Sequence, residues 1–182
     1  MQFLPTKIPD VILLKPSIFK DHRGFFLETF RLKDFRDNGI HTDFVQDNHS
    51  GSYYCTLRGL HYQIQQPQGK LVRAVVGEIF DVAVDLRKSS PTFGNWVGAR
   101  LTAENKYQLW IPPGFAHGFL VLSEWAEIFY KASDYYAPQF ERTLLWNDPQ
   151  IAIDWPLPSN CSPVISSKDT QGINLVNAEL FS

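Results

Sequence analysis

The stretch LVRAVVGEIFDVAVDL, residues 71–86, decides the fold class. Two segments rich in β-branched residues, 71–76 and 79–86, flank a glycine, and this pattern predicts two consecutive strands. Similar segments, each bounded by Gly, Pro, Asn, Asp or Ser, predict further strands at 11–14, 25–30, 44–46, 57–63, 96–101, 108–111, 118–122 and 127–130. About ten short strands of this kind predict an all-β sandwich or barrel.

Helix signals are few along the chain. Residues 32–39 predict one short helix that ends at Gly39, which can adopt the left-handed conformation. We find no repeat or linker, so a single domain over residues 1–182 is expected. The segment 141–182 is irregular and contains several prolines, but it holds Trp146 and Trp155, so we expect it to pack against the sheets.

Composition excludes several classes of protein. The 17 Lys+Arg and 19 Asp+Glu give a formal net charge of -2, which argues against a nucleic-acid partner or an anionic membrane surface. Hydrophobic residues make up 44% and charged residues 20%, so disorder is not expected. Cys55 and Cys161 form no C-x-x-C motif, and neither a signal peptide nor an apolar membrane span is present. These features predict a reduced, cytoplasmic protein.

The densest group of reactive side chains is LRGLHYQ, residues 57–63, with a hairpin expected to bring Lys70 beside His61. Strict alternation would place Arg58 and His61 on opposite faces of a strand. A bulge at Gly59 would return them to one face. A lone histidine on a strand is more often structural than functional, so this segment alone does not establish a site.

A second group lies in IPPGFAHGF, residues 111–119. Its pattern P-x-G-x-x-H resembles the second motif of the cupins, a family of double-sheet jelly rolls. Metal-binding cupins carry more histidine and glutamate ligands, whereas this chain offers His61 and His117. Zinc and iron sites usually need three or more protein ligands, so we expect a pocket without a metal.

Polar and aromatic residues also cluster at predicted strand ends, in 21–28, 44–50 and 129–136. Each cluster taken singly fits a solvated strand edge. Together they supply arginines, amides and aromatic rings, which suit a phosphorylated ligand with a flat ring.

Several motifs together resemble the dTDP-4-dehydrorhamnose 3,5-epimerase family over roughly residues 1–170. They are DHRGFF at 21–26, FVQDN at 44–48, LRGLHYQ at 57–63, KLVR at 70–73, DVAVDLR at 81–87, WIPPGFAHGF at 110–119 and WNDP at 146–149. The resemblance implies a cupin jelly roll with a few short helices, a homodimer and no metal or organic cofactor. It also implies a role in dTDP-L-rhamnose biosynthesis, which supplies lipopolysaccharide O-antigen.

The resemblance also assigns roles by position. His61 corresponds to the proton acceptor, Asp169 to its paired carboxylate and Tyr130 to the proton donor. Lys70 corresponds to the lysine beside the substrate's keto oxygen. The expected substrate contacts are Arg23, Phe26, Glu28, Gln46, Asp47, Asn48, Arg58, Lys70, His117, Glu141, Lys168 and Tyr136, the last stacking on the thymine.

These roles match the chemistry that the family's reaction needs. Inverting a carbon next to a ketone requires a base and an acid on opposite faces of the sugar, and a cation stabilises the enolate. The expected reaction epimerises dTDP-4-dehydro-6-deoxy-D-glucose at C3 and C5. Three alternatives stay open: a single-carbon epimerase on a related nucleotide ketosugar, a metal-dependent cupin dioxygenase and a non-catalytic sugar-nucleotide binding module. Residues 1–16 could form an edge that is exchanged within a dimer.

Overall fold

The structure, a computed structural model, describes residues 1–158 and 161–182, and it is built mainly from antiparallel strands. The predicted tail 141–182 therefore includes two residues, 159 and 160, that lie outside the described part. The strands are β1 Gln2–Pro5, β2 Ile12–Lys15, β3 Phe19–Asp21, β4 Gly24–Phe26, β5 Gln46–Tyr53, β6 Leu57–Gln63, β7 Lys70–Val76, β8 Glu78–Asp85, β9 Trp96–Thr102, β10 Gln108–Ile111, β11 Phe115–Val121, β12 Trp125–Ala132 and β13 Glu141–Thr143. One α-helix, α1, spans Leu32–Asp37, and short 3-10 turns lie at Pro138–Phe140, Asp169–Gln171 and Leu175–Asn177.

Two sheets form the body of the molecule. One has six strands in the order β1-β2-β10-β7-β12-β5, the other has five in the order β13-β6-β11-β8-β9, and β3 pairs with β4 in a separate hairpin. The predicted all-β double-sheet jelly roll with a few short helices is confirmed.

The central core lies between the two sheets. Strand β7 contributes Val72 and Ala74, and β8 contributes Ile79 and Ala83, all of them buried. Because side chains alternate between the two faces of a strand, Lys70 and Asp81 point toward the same interior as these core residues. Polar side chains are thus carried into the space between the sheets.

The outer faces of both sheets are also covered. Ile151, Trp155 and Leu175, all from the tail, pack against the five-stranded sheet. Helix α1 covers the six-stranded sheet with Phe35, which is fully buried beside Trp110. Gly39 follows the helix with φ +83°, the left-handed conformation expected of it.

Strand β6 contains the bulge that the sequence allows at Gly59. His61 lies opposite His117 in β11, but Arg58 lies opposite Phe119, so β6 has one extra residue between these pairs. Gly59 within this segment has φ +123°, which favours glycine. The bulge returns Arg58 and His61 to one face of the strand.

Observed and predicted strands differ most at β5. The prediction covered 44–46, whereas β5 runs over Gln46–Tyr53. The prediction missed most of this strand because its polar sequence, QDNHSGSY, carries no strand pattern. The prediction at 25–30 is also wrong beyond Phe26, where β4 ends.

The two cysteines, Cys55 and Cys161, are joined by a disulfide in the structure. The expectation that both cysteines are reduced is wrong, because their separation of 106 residues in sequence offers no signal for pairing. None of the helices in the described ranges has the length and hydropathy needed to cross a bilayer.

Candidate active site

A cavity opens at one end of the space between the sheets. The five-stranded sheet lines it with His61 and Gln63, and the six-stranded sheet lines it with Lys70 and Tyr130. His61 and Tyr130, which are 69 positions apart in the sequence, therefore lie on opposite walls of one cavity.

His61 is paired with the carboxylate of Asp169. Nε2 of His61 lies 2.6 Å from Oδ1 of Asp169, and the Gly59 N–H donates to Oδ2 of the same carboxylate at 3.2 Å. Burial raises the pKa of Asp169, but the bonds from His61 and Gly59 outweigh burial and hold this pKa below its usual value. Because a carboxylate can only accept, the neutral imidazole carries its proton on Nε2 and leaves Nδ1 free to accept one.

Lys70 reaches the cavity from the opposite sheet. The expected hairpin between the strands of His61 and Lys70 is wrong, because β6 and β7 belong to different sheets. The two side chains nevertheless line the same cavity, since both point between the sheets. Burial lowers the pKa of Lys70 to about 8, against the opposing charges of Asp81 and Glu141.

Tyr130 lies on β12, opposite Asn48 of β5 and Val72 of β7. Burial, with the charge of Glu141, raises the pKa of the Tyr130 phenol. The hydroxyl therefore stays protonated at neutral pH, as a proton donor requires.

His117 forms a second histidine–carboxylate pair. Its Nε2 lies 2.7 Å from Oδ1 of Asp81, and both side chains are buried. Burial lowers the pKa of His117, although Asp81 partly opposes this shift. Asp81 is not among the site residues that the sequence predicts. An aspartate at an inward-facing position of a hydrophobic strand was the signal that could have identified it.

The rim of the cavity carries an interlinked group of side chains. The Tyr136 hydroxyl donates to Oε2 of Glu141 at 2.6 Å, and the Lys168 ammonium lies 2.5 Å from the same oxygen. Burial raises the pKa of Glu141, but the bonds from Lys168 and Tyr136 bring it below its usual value. Tyr136 is 53% exposed, so its ring is available to stack on a ligand.

Buried Gln63 orders the segment that carries Tyr136. Its Nε2 donates to the Gln66 carbonyl at 2.7 Å and the Tyr135 carbonyl at 3.2 Å, and its Oε1 accepts from the Ala137 N–H at 2.8 Å. Gln63 belongs to the motif at 57–63, but the sequence does not predict this role for it. Two of its three partners, the backbone groups of Tyr135 and Ala137, are 72 and 74 residues away in sequence, so no local pattern indicates them.

Arg58 projects across the space between the sheets. Its Nε donates to Oγ of Ser52 on β5 at 3.0 Å. Gln46 and Asn48 lie on the same strand and are joined by a 3.0 Å hydrogen bond. Arg58 also lowers the pKa of Tyr130 through its charge, against the larger effect of burial. These side chains extend the candidate site along β5.

Other predicted substrate contacts are not brought to the cavity. Asp47 is exposed and binds Lys131, whose Nζ donates to Oδ1 at 2.9 Å on the outer face of the six-stranded sheet. This orientation follows from alternation, since Gln46 and Asn48 occupy the inner face.

Arg23 and Phe26 lie on the β3–β4 hairpin, and Glu28 follows it. None of the three lines the cavity. Arg23 is paired with Asp21, and Glu28 is paired with Arg31. Within one chain the hairpin and the cavity are therefore separate.

Comparisons with known proteins agree with this geometry. The model of the dTDP-4-dehydrorhamnose 3,5-epimerase family matches residues 5–177. A dTDP-4-dehydrorhamnose 3,5-epimerase of Pseudomonas aeruginosa is 59% identical over 175 residues, which are 96% of each chain.

Solved structures show the same relationship. The Legionella pneumophila epimerase RmlC, solved with dTDP-4-keto-L-rhamnose, is 50% identical with a TM-score of 0.94, covering 98% of this chain and 94% of that one. ChmJ, a 3'-monoepimerase of Streptomyces bikiniensis solved with dTDP-quinovose, is 34% identical with a TM-score of 0.87, covering 94% and 87%. The chain belongs to the dTDP-4-dehydrorhamnose 3,5-epimerase family.

Proposed function

We propose that this enzyme, an isomerase, epimerises dTDP-4-dehydro-6-deoxy-D-glucose at C3 and C5 to give dTDP-4-dehydro-L-rhamnose. The observation that carries this proposal is the placement of His61, held by Asp169, on one wall of the cavity and Tyr130 on the other. A sugar ring between the two sheets would have the base on one face and the acid on the other, which inversion requires.

Each proton transfer uses a defined atom. Nδ1 of His61 takes the proton from the carbon next to the ketone, and Asp169 stabilises the imidazolium that forms. The electron pair of the broken C–H bond moves to the C4 oxygen, which becomes an enolate beside the Lys70 ammonium. The Tyr130 hydroxyl returns a proton from the opposite face. Solvent then takes the proton from the His61 imidazolium and returns one to the Tyr130 phenolate. The same three side chains can therefore treat C3 and C5 in turn without a redox partner.

The remaining site residues fit a nucleotide with a diphosphate. Arg58 and Lys168 are cations near the cavity, and guanidinium groups bind phosphate oxygens in a bidentate manner. The exposed ring of Tyr136 provides a surface for a thymine base. A few local cations thus hold an anionic ligand on a chain whose formal net charge is -2.

A second copy of the chain would complete the site. The hairpin carries three exposed phenylalanines, with Phe19 64%, Phe25 56% and Phe26 66% exposed, a surface that favours burial against a partner. In a homodimer, the hairpin with Arg23, Phe26 and Glu28 would reach the cavity of the other chain. The strand pair β1–β2, within residues 1–16, lies at the edge of the six-stranded sheet and would join the interface. We place the enzyme in the cytoplasm, making dTDP-L-rhamnose precursors for polysaccharides such as O-antigen.

The decisive experiment is solvent exchange in heavy water. Incubation with dTDP-4-dehydro-6-deoxy-D-glucose should place deuterium at both C3 and C5, as read by NMR. His61→Asn should lose both exchanges, whereas His49→Asn, at an exposed histidine bonded to Glu127, should retain them. Full exchange in His61→Asn would overturn the role given to His61.

The second candidate is a single-carbon epimerase, favoured by the likeness to the 3'-monoepimerase ChmJ. Deuterium at one carbon only would establish it. Stabilisation by dTDP-sugar without any exchange would instead indicate a binding module.

A further inference from the structure

Asp81 is a buried carboxylate to which the proton transfers above assign no role. Its side chain has no exposed surface, and Oδ1 is taken by His117 at 2.7 Å. Its other oxygen, Oδ2, is buried and has no hydrogen-bond partner within residues 1–158 and 161–182. A buried carboxylate with an unpaired oxygen is costly unless a positive charge lies close enough to compensate.

His117 does not provide that positive charge. The imidazole is buried, and burial lowers its pKa, so it is neutral at neutral pH. A neutral Nε2–H satisfies one lone pair of Asp81 but leaves the charge of the carboxylate uncompensated. The counter-charge must come from another side chain that faces the same interior.

Lys70 is the cation in the right place. It points inward from β7, as Asp81 points inward from β8, and the two act on each other through charge without a hydrogen bond. Among the described residues, the other titratable or charged groups facing this interior are Arg58 and His61 on β6, His117 on β11, Tyr130 on β12 and Glu141 on β13. Arg58 is bonded to Ser52 on β5. Glu141 is already bonded to Lys168 and Tyr136 at the rim.

We propose that Asp81 is a positioning residue that anchors His117 through one oxygen and, through its charge, keeps the Lys70 ammonium protonated with its N–H donors free. A direct ion pair would occupy those donors. A carboxylate held back by His117 keeps the charge on Lys70 and leaves the donors for the substrate oxygen. The charge effect of Asp81 on Lys70 does not depend on the proposed function. Only the use of the free N–H donors, to stabilise the enolate oxygen of the substrate, rests on it.

The test measures the titration of Lys70 directly. NMR of protein labelled with ¹³C-lysine, with the Lys70 signal assigned by its loss in Lys70→Arg, follows this amine without substrate. Asp81→Asn should move the Lys70 titration to lower pH by about one unit, because an opposing negative charge is lost. An unchanged titration in a folded Asp81→Asn variant would overturn the proposal.

A matched variant separates charge from packing. His117→Asn breaks the same hydrogen bond but keeps the Asp81 carboxylate, so the Lys70 titration should stay where it is or move to higher pH. A shift to lower pH in His117→Asn as large as that in Asp81→Asn would show that packing is responsible, which contradicts the proposal. If Asp81→Asn fails to fold, any shift of the Lys70 titration to lower pH in His117→Asn, which keeps the Asp81 carboxylate, would overturn the proposal.

Enzyme assays provide a second readout. In Asp81→Asn, the alkaline limb of the kcat profile should move to lower pH by the same amount as the NMR titration. Asp148→Asn removes another buried carboxylate, one that accepts from the Leu175 N–H at 2.6 Å, and it should leave this limb in place. If the NMR shift occurs but neither the wild-type protein nor the variants epimerise the ketosugar nucleotide, the electrostatic role of Asp81 stands and the proposed function fails.

Discussion

Oδ1 of Asp169 lies 2.6 Å from Nε2 of His61, although 108 residues separate the two in the chain. The pair joins a strand of the five-stranded sheet to a 3-10 turn of the tail. Asp169 is almost fully buried, whereas the His61 ring keeps some exposure to the cavity. The carboxylate is thus placed to orient the ring, and the ring to reach a ligand.

Asp169→Asn tests this pair. An amide preserves the shape but not the charge that stabilises the imidazolium, so kcat should fall about 100-fold or more. KM should change little, because Asp169 does not line the cavity. Steady-state kinetics on the ketosugar nucleotide measure both. Thr170→Val, next along the same turn, is the control and should behave as wild type; equal kcat in the two variants would refute the role of Asp169.

Tyr130→Phe separates proton removal from inversion. Without the phenol, His61 can still remove a proton and return one to the same face, so deuterium exchange should continue. Epimerised product should fall by about 100-fold. NMR in heavy water follows both quantities in one sample. Tyr107→Phe, at another tyrosine packed against the central core, should leave both unchanged. Undiminished product in Tyr130→Phe would assign the acid elsewhere.

Lys70→Met should make the protein more stable and less active. The buried ammonium has its pKa lowered to about 8 from 10.5, so its charged form is disfavoured in the folded state. Below pH 8 Lys70 is charged in both the folded and the unfolded state, so burial of the ammonium lowers the free energy of unfolding by its full amount. Between about pH 8 and 10.5 the folded state loses the proton first, and the penalty disappears. Lys70→Met should therefore have a higher Tm than wild type at pH 7, by an amount that shrinks as the pH rises toward 10.5.

Thermal melts across this pH range check the Lys70 prediction, alongside an activity assay expected to show almost complete loss. Lys88→Met, at an exposed lysine, should change neither Tm nor activity. A lower Tm for Lys70→Met at pH 7 would show that the ammonium stabilises the fold.

Gly59→Ala should disrupt the bulge. A Cβ at this position would lie 2.5 Å from Cα of Gly118 and 2.8 Å from the His117 carbonyl, and φ is +123°. The free energy of unfolding should fall by roughly 3 kcal/mol. Gly24→Ala has a similar φ of +131° but meets nothing within 4 Å, so it should cost only about 1 kcal/mol. Urea denaturation measures the free energy of unfolding of both variants. Equal losses would show that the positive φ, and not the contact with Gly118 and His117, accounts for the destabilisation.

The strands that sequence predicts best are those with hydrophobic side chains on at least one face. Residues 57–63 and 108–111 are observed with the predicted bounds, because their apolar pattern matches the face they bury. Strand β5 was mostly missed, since it lies at a sheet edge and its residues are largely polar. Pairing with β12 holds it in the sheet, and such pairing cannot be deduced from local pattern.

The candidate site shows a similar division. Alternation alone separates Arg58 from His61, and the bulge at Gly59 that the sequence allows is observed in the structure. The pairing of His61 with Asp169 was expected from the family resemblance alone, because no spacing rule links a strand to a distant tail. The roles of Asp81 and Gln63 are not predictable from sequence, because they depend on partners from other strands and loops.

The origin of Asp169 in the tail affects when the enzyme becomes active during synthesis. The ribosome releases His61, Lys70 and Tyr130 well before residue 169, so the jelly-roll strands can pair while the base still lacks its carboxylate. A nascent chain that has completed both sheets would then bind nucleotide sugar but turn it over slowly. Catalytic competence would be among the last properties acquired as the polypeptide emerges, after the sheets have already formed.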